Sequence, residues 1–392
     1  MLPYKPSPSV YVHIPFCLEA CPYCNFNFRL IRNFDHEFLV DYCQAIVDEW
    51  QLYNEKEGPF KTIESIYFGG GTPSLLKPHQ IGIIIDKILF SKPKKIEISL
   101  EANPDGLLEE KEGLILNEFK QAGVNRLSLG IQSLNDQKLK NLGRNHHVKD
   151  VRRVVTEARK KGFINISGDL MGGVPKEDFL SFKKDVHDFL SLELNHISYY
   201  SLTLEEKTSY FDRFQKGELS FPKDDQDGEF LRYAREIFEK NGFEGYEISN
   251  YAQNGYRSHH NLGYWEYRNY IGLGAGAHSF IKRKGMHERM MNEKNPRKYV
   301  QKVQNGVFPH VFREEIVGKK AMGEFVFTGL RKKSGIKLND FSRIFSLDLK
   351  KVFGQEIEEL QKINLLHIDQ KGNLLLTEKG VFLSDSVFEH FI

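Results

Sequence analysis

Six short strand-like runs, VYVHIPF, TIESIYF, KIEISLE, NRLSLGI, INISGDL and HISYYSL, lie about 30 to 50 residues apart in the first half of the chain, with longer helix-like stretches between them. That alternation predicts repeated βα units, which set their strands parallel and cover them with helices. The first intervening helix is legible in detail. Phe38, Leu39, Tyr42, Ile46, Trp50 and Tyr53 share one stripe at helical period, and Asp35 stands at the N-cap position. Cys43 lies beside this stripe and reads as a small buried hydrophobe. Six units end near residue 205, fewer than the eight that close a barrel. The expected fold is therefore α/β, a partial (β/α)6 TIM-like barrel.

A barrel is preferred to a doubly wound sheet because the unusual residues fall at the C-terminal ends of the strands, where such barrels build their sites. After the first strand comes FCLEACPYCNF, with Cys17, Cys21 and Cys24. After the second comes Gly69-Gly70-Gly71-Thr72-Pro73, and after the third Glu101-Ala102-Asn103-Pro104. The fourth is followed by Gln132-Ser133, and the fifth ends at Asp169 with Gly172-Gly173 beyond it.

Past residue 205 the rhythm stops. A helical stretch over 224–241 leads into YEISNYAQNGYRSHHNLGYWEYRNYIGLGAGAHSF, rich in glycine, aromatics and histidine, which reads as an extension of the barrel. From about residue 314, three helix-like runs precede LLHIDQKGNLLLTEKG, where Lys371-Gly372-Asn373 makes a hairpin turn, the pattern of a small winged-helix-like domain. The expected division is 1–205 for the barrel, 206–312 for the extension and 313–392 for the mainly helical C-terminal domain.

Hydrophobic residues at 40% supply ordinary cores, and the formal charge of +2 gives no footprint for nucleic acid. The short basic runs at 92–95, 159–161, 282–284 and 331–333 read as solvated helix ends and loops. No apolar h-region opens the chain, and IGIIIDKILF is broken by Asp86 and Lys87, so neither export nor a transmembrane segment is expected. Pairing two of the three clustered cysteines would strand the third, which argues for a reducing, cytoplasmic setting and a ligand set. Thiolates suit zinc or an iron-sulfur cluster. Structural zinc needs a fourth ligand, with His13 or His36 as candidates. A 4Fe-4S cluster held by three cysteines keeps one iron open for a small molecule.

The C-x3-C-x2-C spacing, with Tyr23 before the last cysteine and placed after strand one, resembles the motif of the radical S-adenosylmethionine (SAM) superfamily. The resemblance implies that the open iron takes the amino and carboxylate groups of SAM, and that an electron from the cluster cleaves the sulfonium to a 5'-deoxyadenosyl radical. YVHIPFCLEACPYCNFNF, YFGGGTPSLL, SLEANP, GVNRLSLGIQS, GDLMGGVP and HHNLGYW narrow it to the heme chaperone (HemW-type) branch, relatives of the oxygen-independent coproporphyrinogen III dehydrogenases. By that resemblance the cluster ligands are Cys17, Cys21 and Cys24. SAM contacts fall on Tyr11, Tyr23, Gly70, Gly71, Thr72, Glu101, Gln132, Arg144 and Asp169. The dehydrogenases carry another cysteine where this chain has Phe26, and this chain instead has the element His260-Asn261-Leu262-Gly263-Tyr264-Trp265. In the chaperone branch that element is associated with heme: an imidazole can ligate the iron, and Tyr264 and Trp265 offer flat area against a macrocycle. His259 is an adjacent competing ligand, and His278 is read as a support for the loop. One departure is Gly168, where the family often has Leu or Ile, which is expected to loosen the backbone before Asp169.

The resemblance thus implies a cytoplasmic heme chaperone that binds heme, a 4Fe-4S cluster and SAM and passes heme to an acceptor hemoprotein, with an electron donor required and no nucleic-acid partner expected. The alternatives are oxidative decarboxylation of coproporphyrinogen III, an activity the missing cysteine speaks against, and radical modification of RNA or a peptide.

Overall fold

The computed structural model describes residues 7–89, 95–108, 114–283 and 286–392. Lys92 to Lys94 and Lys284, parts of two of the basic runs, lie outside them. Six strands, β1 (Ser9–Ile14), β2 (Ser65–Gly70), β3 (Glu97–Ala102), β4 (Arg126–Gln132), β5 (Asn165–Gly172) and β6 (His196–Ser201), pair in parallel in chain order. Helices pack outside them, starting with α1 (His36–Glu57), whose Asp35 cap accepts from Phe38 N at 2.8 Å.

Successive side chains of a strand point to opposite faces, and here the two faces differ in chemistry. Val10, Val12, Ile66, Phe68, Leu100, Leu127, Leu129, Ile166 and Leu170 are buried completely in the core beneath the helices. Each aliphatic chain so buried contributes about 1.5–3 kcal/mol. The alternate positions face the barrel interior and are polar: Ser9, Tyr11 and His13 on β1, Ser65 and Tyr67 on β2, Ser99 and Glu101 on β3, Arg126 and Ser128 on β4, Ser167 and Asp169 on β5, and His196 and Ser198 on β6. A polar lumen opens toward the C-terminal strand ends.

The chain beyond β6 continues the sheet at both of its edges. β7 (Asn250–Ala252) adds antiparallel to β6, and β8 (Tyr270–Leu273) adds parallel to β1 on the opposite edge, as a seventh parallel strand. An antiparallel ribbon of β9 (His278–Arg283), β10 (Met286–Asn292) and β11 (His310–Ile316) follows, in a sheet that counts twelve strands among the described residues. Between β7 and β8 the chain must cross from one edge to the other. It passes under the N-terminal ends of the parallel strands as a short helix, His259–Trp265, whose first two backbone N-H groups donate to the carboxylate of Glu97 at 3.1 and 3.0 Å.

The C-terminal part packs around a second core with Val326, Phe341, Phe353, Leu360 and Leu374, which Tyr267 and Phe280 of the extension join. Helices Gly318–Leu330, Leu338–Phe345 and Leu349–Lys362 precede a hairpin of Leu366–Ile368 and Asn373–Leu376 that turns at Gly372, with Asp369 accepting from Lys371 N and Asn373 N, as the winged reading expects, and the short strand Ile336–Lys337 between the first two helices completes a three-stranded sheet with it. Among the described residues no helix is long and apolar enough to cross a membrane. One arginine in each of two basic runs is built in rather than solvated: Arg159 donates to three backbone carbonyls and to Asn195 Oδ1, and Arg331 lies over the Trp265 ring at 4.4 Å, while Lys160 and Lys333 of the same runs are exposed.

Candidate cofactor site

The cysteine loop leaves β1 at the C-terminal face of the barrel, and the glycine loop after β2 meets it backbone to backbone. Gly71 N donates to Ile14 O at 2.8 Å and Thr72 N to Phe16 O at 2.7 Å. A Cβ on Gly71 would stand 2.6 Å from Phe16 O and 2.9 Å from Cys17 Sγ, so glycine is required by the close approach. Thr72 Oγ1 lies 3.8 Å from Cys17 Sγ, and Arg144 donates to Cys21 Sγ at 3.5 Å, to Gly130 O at 2.8 Å and to Asn103 Oδ1 at 2.5 Å.

The three thiols open onto one cavity of about 670 Å³, which Tyr23, Gly70, Gly71, Thr72, Glu101, Gln132, Arg144 and Asp169 also line. Tyr11 is the exception among the expected SAM contacts. It sits deeper in the lumen, with its hydroxyl 3.0 Å from His13 Nδ1 and its ring stacked on Tyr67 at 6.2 Å. Glu101 lines the cavity, accepts from Tyr67 Oη at 2.8 Å and Gly70 N at 3.1 Å, and has its pKa raised by burial against those two bonds. Asp169 is pushed up to about 7 by burial and by the neighbouring Glu101 charge. Burial likewise pushes the Cys17 thiol up to about 11, so ligation rather than solvent would deprotonate it. The expectation for Gly168 is corrected: its backbone is not left-handed, and a Cβ there would meet Leu194, Ile131 and Phe189 at 2.6 to 2.9 Å. Its smallness serves outward packing.

The donor set fits a cluster that is completed by a further ligand. Gln132 adopts φ 69°, a conformation that costs a residue with a Cβ about 1–3 kcal/mol, and its buried Oε1, on a residue lining the cavity, has no partner. An acceptor held this way is ready for a ligand's donor. The zinc alternative lacks its fourth ligand, since His13 spends its two ring nitrogens on Tyr11 Oη and Asn27 O, and His36 is exposed at the start of α1. Among the described residues no three His, Cys, Asp or Glu side chains converge as a single-ion site.

The heme element is not brought to this cavity. His260 lies at the other end of the lumen, 1% exposed, with Nδ1 2.8 Å from Ser65 Oγ, Nε2 2.8 Å from Tyr264 Oη, and its ring 5.0 Å from that of Tyr67. Burial first, then the Arg126 charge, lowers its pKa to about 3. Tyr264 is packed edge-on against Tyr270 at 4.7 Å, and Trp265 is covered by Arg331, while His259 and His278 are exposed. Sequence reasoning missed Asn103, which links Arg144 to Thr72, and Tyr67, which joins Glu101 to the floor. Asn103 was in plain view inside the quoted SLEANP.

A partial parallel barrel with three loop thiols facing a glycine loop across a cavity defines a radical SAM protein, and the Radical SAM superfamily profile matches residues 11–189. The HemN C-terminal domain profile matches residues 318–383. The chain is 35% identical to the heme chaperone HemW of Bacillus subtilis, over 98% of this chain and 99% of that one, and 34% identical to that of Lactococcus lactis, over 99% and 98%. It belongs to the HemW family. The fold is shared with coproporphyrinogen III oxidase (HemN) from Escherichia coli, at a TM-score of 0.80 and 21% identity, over 99% of this chain and 90% of that one. As a radical SAM protein the chain binds a 4Fe-4S cluster and SAM.

Proposed function

We propose that this protein is a heme chaperone, taking up heme and handing it to an acceptor hemoprotein in the cytoplasm, with a separate electron donor serving its cluster. The end-to-end similarity to proteins named heme chaperone HemW carries the reading. Cys17, Cys21 and Cys24 hold the cluster, which supplies a one-electron reductant beside a sulfonium. Arg144 and Gln132 face the carboxylate and hydroxyl groups of SAM, Glu101 and Asp169 accept from its ammonium and ribose, and Gly70, Gly71 and Thr72 let backbone approach its methionine end. Tyr23 packs beside them, and Tyr11 supports the site from beneath. Residues 1–205 act as the cofactor barrel, 206–312 as the extension carrying the heme element, and 313–392 as the helical, winged domain.

Heme is assigned to His260, flanked by Tyr264 and Trp265. For its imidazole to reach an iron, His260 must give up Ser65 or Tyr264, and each buried polar partner left behind costs about 1–3 kcal/mol. That cost weakens retention, which suits a carrier that must release its cargo. Hemin titration of the anaerobically reconstituted protein is expected to give a Soret shift that weakens about tenfold in His260→Ala and little in His259→Ala. A shift unchanged in His260→Ala removes that residue from the account. Turnover of coproporphyrinogen III to protoporphyrinogen would replace the chaperone reading with the dehydrogenase one.

A further inference from the structure

The loop that carries the thiols is clasped at its ends, where Phe16 and Cys17 pair with Arg29 and Leu30 and Arg29 N donates to Pro15 O at 2.6 Å, but it has little to fix it between them. Between Cys17 and Phe28 its internal backbone bonds are Cys24 N to Cys21 O and Phe28 N to Phe26 O. Its outgoing arm is also tied to the extension, by a residue of its own that is not a cluster ligand. Asn27, three positions beyond Cys24, donates from Nδ2 to Ala275 O at 3.2 Å and to Lys294 O at 3.3 Å, while its own carbonyl lies 3.2 Å from His13 Nε2.

Both acceptors belong to the extension, and Ala275 lies in the Gly-Leu-Gly-Ala-Gly-Ala turn after β8. The turn's glycines are shaped to this contact. Gly276 has φ +84°, and a Cβ on it would stand 2.4 Å from Asn27 Nδ2; Gly274 has φ +97°, and a Cβ there would stand 2.4 Å from His13 O. The turn is in turn fastened to α1. Tyr42 Oη donates to His13 O and accepts from Ala275 N, and the wholly buried Glu49 accepts from Gly274 N, Asn292 Nδ2 and Tyr299 Oη at 2.7 to 2.9 Å.

We infer that Asn27 is a positioning residue for the cluster, and that the glycine-rich turn is the seat on which it fixes the cysteine loop. The barrel extension is thereby part of the cofactor site although it contributes no ligand. The inference rests on the reading of the three cysteines as cluster ligands.

The test compares wild type, Asn27→Ala, Asn27→Asp and Gly276→Ala as full-length, anaerobically reconstituted proteins. Asn27→Asp keeps the shape but turns a donor into a carboxylate facing two carbonyls, so it separates the hydrogen bonds from packing. Iron release to a ferrous chelator and the electron paramagnetic resonance (EPR) line shape of the reduced cluster are measured, with thermal unfolding of the cluster-free protein as the control for folding. Both Asn27 variants are expected to release iron about tenfold faster than wild type with a broadened spectrum, and Gly276→Ala to do the same from the other side of the contact. Wild-type release rates and spectra in Asn27→Asp and Gly276→Ala overturn the inference. So does loss of the fold in all three variants, which would make the contact a general structural one. Absence of a cluster from wild type overturns the cysteine reading instead, and is seen before any variant is made.

Discussion

Cys17→Ala, Cys21→Ala and Cys24→Ala are each expected to lose about nine-tenths or more of the iron and sulfide that wild type retains after anaerobic reconstitution and desalting. The expectation follows from the geometry of the cavity. The three thiols line one space, and among the described residues no histidine lines it to replace a lost sulfur, His13 being committed to Tyr11 and Asn27. Cys43→Ala is the matched control. That thiol is 7% exposed within the α1 packing stripe, so its loss should cost a little stability and no iron. Iron and sulfide assays on the four variants check the assignment, and full retention in any one of the three removes that cysteine from the ligand set.

The affinity for SAM is expected to rise with pH and level off above about 7. Asp169 lines the cavity, and burial together with the Glu101 charge brings its pKa to about 7. A carboxylate that accepts from ribose hydroxyls binds best when ionised. Protonation below that pKa therefore opposes binding, by about a factor of ten between pH 8 and pH 6. Asp169→Asn should bind more weakly at pH 8 and show a flat profile. Equilibrium dialysis with the cluster-loaded protein over that range measures both, and a wild-type profile that is flat, or that falls with pH, contradicts the role given to Asp169.

Much of the barrel was legible because its short strands alternate with longer helical stretches, and each chemistry-bearing stretch sits at a C-terminal strand end. The seventh parallel strand was not, because Tyr270–Leu273 is four residues inside a glycine-rich stretch, and its place beside β1 is set by register with Ser9 to Val12 rather than by its own pattern. The cysteine site could be read because its ligands are local in sequence. The setting of His260 could not, since it depends on which end of the barrel the chain crosses when it passes from β7 to β8, and nothing within HHNLGYW encodes that. Asn27 escaped notice for a similar reason: an asparagine after a cysteine motif gains its meaning only from a turn some 250 residues away, at Ala275.

The EPR spectrum of the reduced, reconstituted protein, recorded before and after adding SAM, addresses the shared cavity most directly. If Cys17, Cys21 and Cys24 hold the cluster and SAM binds in the cavity that Arg144, Gln132 and Asp169 also line, the signal shifts to new g-values on addition of SAM, and in Arg144→Ala that shift requires much higher concentrations. A spectrum indifferent to saturating SAM would contradict the account.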